Sequence, residues 1–214
     1  MGRLADDYYV IAHDERTGRL RVSGAAAGVG AAAAIIGELV LGGYLAAREG
    51  ELLARDRDDP PADRLLREVL AQVDAPRQDR DLGAWLRFLA VEAVADLRHR
   101  LISDGLVATV RLRRWVLVQR IQHLPTNPNL AAWPAIRLAN ALSRGEELSP
   151  PDQLLATLVQ ATGLLGDVLW LRPDHNPGWD RAAQVRAHLP ADLAQLAAHA
   201  EAAVGDGVLA RRGI

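Results

Sequence analysis

Ala25-Ala-Ala-Gly-Val-Gly-Ala-Ala-Ala-Ala-Ile-Ile-Gly-Glu-Leu-Val-Leu-Gly-Gly-Tyr-Leu-Ala-Ala47 is the most apolar stretch of the chain, and Glu38 is its only charge. Its reading decides the fold, because it either crosses a bilayer or fills the middle of a packed domain. A membrane span takes about 20 predominantly apolar residues. Here the apolar residues are largely Ala, which is weakly hydrophobic, and Gly28, Gly30, Gly37 and Gly42 are set among them. A helix apolar on every side also suits the centre of a helical bundle. The stretch therefore predicts a buried helix, ended by Gly42-Gly43.

Upstream, Tyr8-Tyr-Val-Ile-Ala12 is a short apolar run. Asp14-Glu-Arg-Thr-Gly18 then makes a turn. Residues 8–22 read as a short N-terminal hairpin or as a helix end and turn. Met1 to Asp7 holds two aspartates and no apolar core, so no secretory signal is expected there.

Downstream, residues 49–81 carry ten acids against six arginines. Asp56 to Ala62 predicts a solvated loop, and Asp74 to Arg80 a second one. Between them Asp63 is placed to cap a helix whose Leu65, Leu66, Val69, Leu70 and Val73 share a face. Leu82 to Ser103 reads as one long helix stopped by Gly105, although the apolar spacing drifts along it. Leu106 to Val110 and Trp115 to Ile121 are β-rich, with Arg111-Leu-Arg-Arg114 between them, which predicts a hairpin over about 106–121. Leu124 to Asn129 reads as a turn. The rest reads as helices over 131–144, 154–170, 180–188 and 192–204, with Ser149-Pro-Pro-Asp152 as a helix start and Pro173 to Gly178 as a loop.

The 214 residues are 50% hydrophobic and 24% charged, with a net charge of −2. That is an ordinary globular balance. It favours a single domain over residues 1–214, and argues against a polycation built for nucleic acid. There is no cysteine, which excludes disulfides, thiolate–zinc sites and Cys nucleophiles. All 25 basic residues are Arg. Abundant Ala, Arg and Gly beside absent Lys and a single Phe, Phe88, point to a GC-rich, bacterial genome.

The chain holds no HExxH, GxSxG or P-loop. Gly28-Val-Gly-Ala-Ala-Ala33 matches G-x-G-x-x-A in form only, since no buried strand precedes it. His13-Asp14-Glu15 reads as a turn rather than a metal site, and Asp174, His175 and Asp180 as a polar loop rather than an acid–base pair. No catalytic residue, cofactor or metal is expected. Between residues 98 and 120 six arginines stand against one acid, Asp104. Arg binds phosphate oxygens in pairs, and Trp settles at membrane interfaces. A tip of Arg111, Arg113, Arg114 and Trp115, fed by a helix bearing Arg98 and Arg100, with Arg21 near by, predicts docking on an anionic bilayer. Each basic residue adds about 1 kcal/mol near such a surface. The rival reading is a solvated or self-associating edge.

Four segments resemble the Golgi phosphoprotein 3 family. They are Asp7-Tyr-Tyr-Val-Ile-Ala-His-Asp-Glu-Arg-Thr-Gly18, Ile35-Ile-Gly-Glu-Leu-Val-Leu-Gly-Gly-Tyr-Leu45, Leu97-Arg-His-Arg-Leu-Ile-Ser-Asp-Gly-Leu-Val107, and Trp115-Val-Leu-Val leading to His123-Leu-Pro125. Their order and spacing fit across most of the chain. The resemblance implies a mainly α fold: a helical bundle ringed by amphipathic helices, with one projecting hairpin. It implies a non-enzymatic, cytoplasmic peripheral membrane adaptor that binds phosphatidylinositol 4-phosphate, contacts protein tails and forms homo-oligomers. The family's headgroup pocket does not carry over: its Trp and three Arg positions fall on Ser23, Ala32, Val91 and Val94. The expectation is an adaptor that docks by its Arg/Trp hairpin on phosphatidylinositol 4-phosphate or another anionic lipid. The alternative is a soluble self-associating module that has lost the lipid pocket.

Overall fold

The computed structural model describes residues 2–75, 80–114, 118–170 and 177–212, with the side chains of 112–120 and 208–212 outside that description. The described chain is mainly helical, with two small antiparallel strand pairs.

The apolar stretch forms α2 (Gly24–Leu41) at the centre of the fold. Ser23 caps it, its hydroxyl accepting the Ala26 N–H. Around it pack α1 (Leu4–Ala12), α4 (Leu82–Ala90), α5 (Ala93–Ser103), α7 (Pro150–Ala161) and α10 (Ala191–Arg212). Partners on every side explain why α2 has no polar face. By length and composition α2 would suffice to cross a membrane, yet 72% of its apolar window is buried inside the fold. Its glycines are close-approach points. A Cβ on Gly28 would lie 2.4 Å from the Ala90 carbonyl oxygen, and one on Gly37 2.5 Å from a Leu154 methyl.

The helix ends where expected, and Gly43 takes φ +74°. The Gly43 and Tyr44 N–H groups donate back to Val40 and Leu39, which satisfies the last carbonyls. The apolar run nevertheless does not continue as helix to Ala47. Leu45–Arg48 (β1) pairs with Glu51–Ala54 (β2) through the two-residue turn Glu49-Gly50, both at positive φ. That is what a tight hairpin requires. Buried Leu45, Ala46 and Ala47 lie on the α10 side of the core.

The N-terminal segment resolves as a helix end and turn, not a hairpin. α1 runs from Leu4 to Ala12, and only a single bridge, His13 to Leu20, closes the turn that follows. Asp14 accepts the Thr17 N–H and hydroxyl at 2.8 Å each.

α3 (Arg64–Asp74) starts at Asp63, whose carboxylate accepts the Leu66 N–H, and buries Leu65 and Val69. The expected long helix 82–103 is two helices, with a corner at Val91-Glu92. The apolar spacing slips by five residues between Glu92 and Leu97, so one straight helix would turn Leu97 and Leu101 off the core. Breaking at the corner keeps Trp85, Leu86, Leu97 and Leu101 all buried. The expected helix 154–170 also divides, into α7 and α8 (Leu165–Leu169), because Gly163 at φ +85° reverses the chain. α6 (Pro128–Arg144) begins at Asn127 and ends at Gly145. α9 (Gly178–Val185) runs into a 3₁₀ turn, Arg186–His188, before α10.

The projecting hairpin is longer than read from sequence. β3 (Val107–Arg114) pairs with β4 (Val118–Pro125) in the register Val107↔Pro125 to Arg114↔Val118. Arg111 to Arg114 therefore lie on the strand, not in the turn, and Leu124-Pro125 close the ladder. The foot of the hairpin is fixed by Thr126, whose hydroxyl donates to the Gly105 carbonyl at 2.9 Å.

Candidate functional site

α5 carries two of the arginines singled out above, and the fold separates their roles. Arg100 is buried, with 8% of its surface exposed. Its Nη2 lies 2.7 Å from Asp6 Oδ1 and its Nη1 3.0 Å from Glu38 Oε2. Glu38 Oε1 also accepts the Ala5 N–H at 2.8 Å, so the single charge of the apolar stretch ties α1 to α2 and α5. Arg3 extends this network, reaching Asp6 and Asp63 at 2.7 Å each and also pairing with Asp104. A guanidinium enclosed by carboxylates has no capacity left for a lipid phosphate. Arg100 is therefore a structural residue, and its place in the expected lipid set is corrected. Glutamate at position 38 was the available signal, because a lone acid inside an apolar helix needs a buried cation.

Arg98, two residues earlier, is half-buried and has no carboxylate within ion-pair distance among the described residues. It stands close enough to Tyr9, His13 and His123 to act on their charges. Arg21 does lie near this foot of the hairpin. It is already paired with Glu15 at 2.6 Å and Asp167 at 3.5 Å, and donates to the His13 carbonyl.

On the hairpin, Arg111 is exposed, and Ile121 opposite it is 56% exposed. Arg113 and Arg114 occupy the outer register positions facing Gln119 and Val118. Trp115 lies outside the described residues, as do Asp174 and His175. Asp180 is an exposed residue in the first turn of α9.

Sequence reasoning missed a groove of about 220 Å³ beside the hairpin foot. Val10, Leu101, Leu106, Pro125, Leu130 and Trp133 line it, with Asp6 and Asp7 at its floor. Trp133 is 59% exposed and Leu130 more so. Burial pushes the Asp7 carboxyl up to about 6, against the pull of Arg137 at 2.9 Å. Leu130 and Trp133 stand three apart at the start of α6, a pattern that reads as core from sequence alone. Among the described residues no group of three or more His, Asp or Glu side chains is placed to hold a metal.

The positions that bear the headgroup pocket in the eukaryotic family are distributed differently here. Ser23 caps α2, Ala32 is fully buried, Val94 packs against the core and Val91 is 78% exposed at the corner between α4 and α5. None offers a cationic donor to a phosphate.

A central apolar helix ringed by others, with a hairpin entered from α5, is the architecture that the four sequence segments implied. A family model described as Golgi phosphoprotein 3 (GPP34) matches residues 4–206, nearly the whole chain. The chain belongs to the Golgi phosphoprotein 3 family. No curated protein matched it.

Proposed function

We propose that the chain is a non-enzymatic peripheral adaptor that docks on anionic membrane from the cytoplasmic side through the β3–β4 hairpin. The observation that carries this is the projecting pair itself. Exposed Arg111 stands across from exposed Ile121, and Arg113 and Arg114 lie further out on the same strand. Cations beside an apolar side chain suit the boundary between headgroups and acyl chains, where polybasic segments bind. Ser23, Ala32, Val91 and Val94 lack the indole and guanidinium groups of a phosphoinositide pocket. Bulk anionic lipid is thus the favoured ligand, ahead of phosphatidylinositol 4-phosphate. One hairpin is a weak anchor. Homo-oligomers would multiply it.

Co-flotation with liposomes over a salt series tests this. Vesicles of phosphatidylcholine alone, with phosphatidylglycerol and with phosphatidylinositol 4-phosphate are compared, alongside the triple variant Arg111→Ser, Arg113→Ser and Arg114→Ser. The expected result is salt-sensitive binding to phosphatidylglycerol vesicles that the triple variant loses. Absence of flotation at low salt overturns the reading and favours the soluble self-associating module.

A further inference from the structure

The groove of about 220 Å³ has apolar walls over a carboxylate floor, and no basic residue lines it among the described residues. Asp7 comes from α1, and Leu130, Trp133 and Pro134 from α6. Arg137 donates to Asp7 Oδ2 at 2.9 Å without lining the groove itself. Among the described residues no donor engages the other oxygen, Oδ1. Gly2 also lines the groove, and a Cβ there would collide with Asp7 Oδ1. Glycine at position 2 therefore keeps that oxygen uncovered. The α6 side is left open. That helix buries Pro134, Leu138, Ala141 and Leu142, whereas Leu130 is 64% exposed and Trp133 59%.

The charge around Asp7 does not balance. Arg137 also serves Asp152 on α7 at 2.8 Å, so two carboxylates share one guanidinium. Beside them Arg100 on α5 serves both Asp6 and Glu38, the latter on α2. Arg3 serves Asp6 again, together with Asp63 and Asp104. In this connected network six carboxylates share three guanidiniums.

We propose that the groove binds a small organic ammonium ion with a short apolar body, its ammonium on Asp7 Oδ1 and its body among Leu106, Leu130 and Trp133. The ammonium supplies positive charge where carboxylates are in excess. Trp133 adds an indole, the ring that attracts cations best. A cavity of about 150 Å³ takes benzene, so this groove suits a chain of about six carbons. Burial holds the Asp7 carboxyl at about 6, with Asp6 and Asp152 adding to the rise and Arg137 opposing it. A bound cation favours the ionised carboxylate, so binding weakens as pH falls through that value.

The site uses neither lipid nor the hairpin tip, so it is tested apart from membrane docking. Isothermal titration calorimetry of the full chain at pH 7.5 compares hexylammonium with 1-hexanol and hexanoate, which keep the body and change the head. The expected result is one bound hexylammonium, about tenfold tighter than hexanol, with hexanoate excluded. Hexylammonium keeps its charge from pH 5 to 7.5, so the pH dependence reads the protein. Its affinity falls about tenfold at pH 5, where only about a tenth of Asp7 is ionised. Asp7→Asn binds at pH 7.5 as weakly as the native chain does at pH 5, and its pH dependence is lost. Gly2→Ala covers Oδ1 without altering the core, and weakens hexylammonium binding at an unchanged urea midpoint. Trp133→Ala loses affinity for amine and alcohol alike. The triple hairpin variant binds hexylammonium as the native chain does. Equal affinity for hexanol and hexylammonium, pH-independent binding, or no binding overturns the proposal. A dimer in sedimentation velocity that buries Trp133 and excludes hexylammonium also overturns it, and assigns the groove to a second copy.

Discussion

Gly18 holds φ +65° while its α-carbon faces the backbone of His123. Any side chain there meets both a left-handed conformation and a backbone carbonyl oxygen 2.4 Å from its Cβ. Gly18→Ala is expected to cost about 1–3 kcal/mol, read as a lower midpoint in urea unfolding. Asp7 makes a different demand. Its carboxyl titrates near 6 when folded, against an ordinary 3.8, so below about pH 6 the native state holds a proton that the unfolded chain has released. Its contribution to stability rises as pH falls through that window. His13 and His123, lowered below 6.5, work the opposite way, because the unfolded chain takes protons that the folded one refuses. Asp7→Asn removes the first effect and keeps the second. The loss of stability from pH 7 to pH 5 should therefore be steeper in the variant, and parallel slopes in urea melts would refute this. Arg100→Met strands the buried carboxylates of Asp6 and Glu38. It should destabilise the chain by about 3–5 kcal/mol, a deficit measurable by urea unfolding.

The elements differ in how much of them the sequence disclosed. α2 was legible because its apolar length and its terminal glycines both point one way. α3 and α7 were legible from their caps, Asp63 and Ser149. The β1–β2 pair was hidden because Leu and Ala favour helix, so only the Glu49-Gly50 turn marked it. The corner at Val91-Glu92 was visible as a slip in apolar spacing but carries no Gly or Pro to name it as a break. For the hairpin, strand content was legible, but placing the arginines in the turn ignored that Arg111 to Arg114 continue a pairing register set by the Gly105 and Thr126 end. Of the candidate site, Arg98 and Arg111 were found at accessible positions. Arg100 was misplaced because its partners lie 94 and 62 residues away in sequence. The α4–α5 corner yields its own prediction. Gly28→Val drives a side chain into the Ala90 carbonyl and should lower the thermal midpoint by several degrees while leaving the β3–β4 hairpin paired. Amide exchange resolves the two regions.

Across the whole molecule, α2 packs against α1, α3, α4, α5, α7, α10 and β1. The core runs from Leu4 on α1 to Ala200 on α10 as one connected cluster. Unfolding should therefore show one transition, with Trp fluorescence and far-ultraviolet circular dichroism melting together. The same centrality has a consequence during synthesis. α2 is complete at Leu41, whereas α10, one of its covering helices, ends at Arg212. At roughly 5–20 residues per second the ribosome leaves that interval open for on the order of ten to thirty seconds. Throughout it the nascent chain presents a helix of span-like hydrophobicity with its later cover still unmade. Chaperones and membrane-insertion machinery then compete for a segment that the finished protein keeps out of sight.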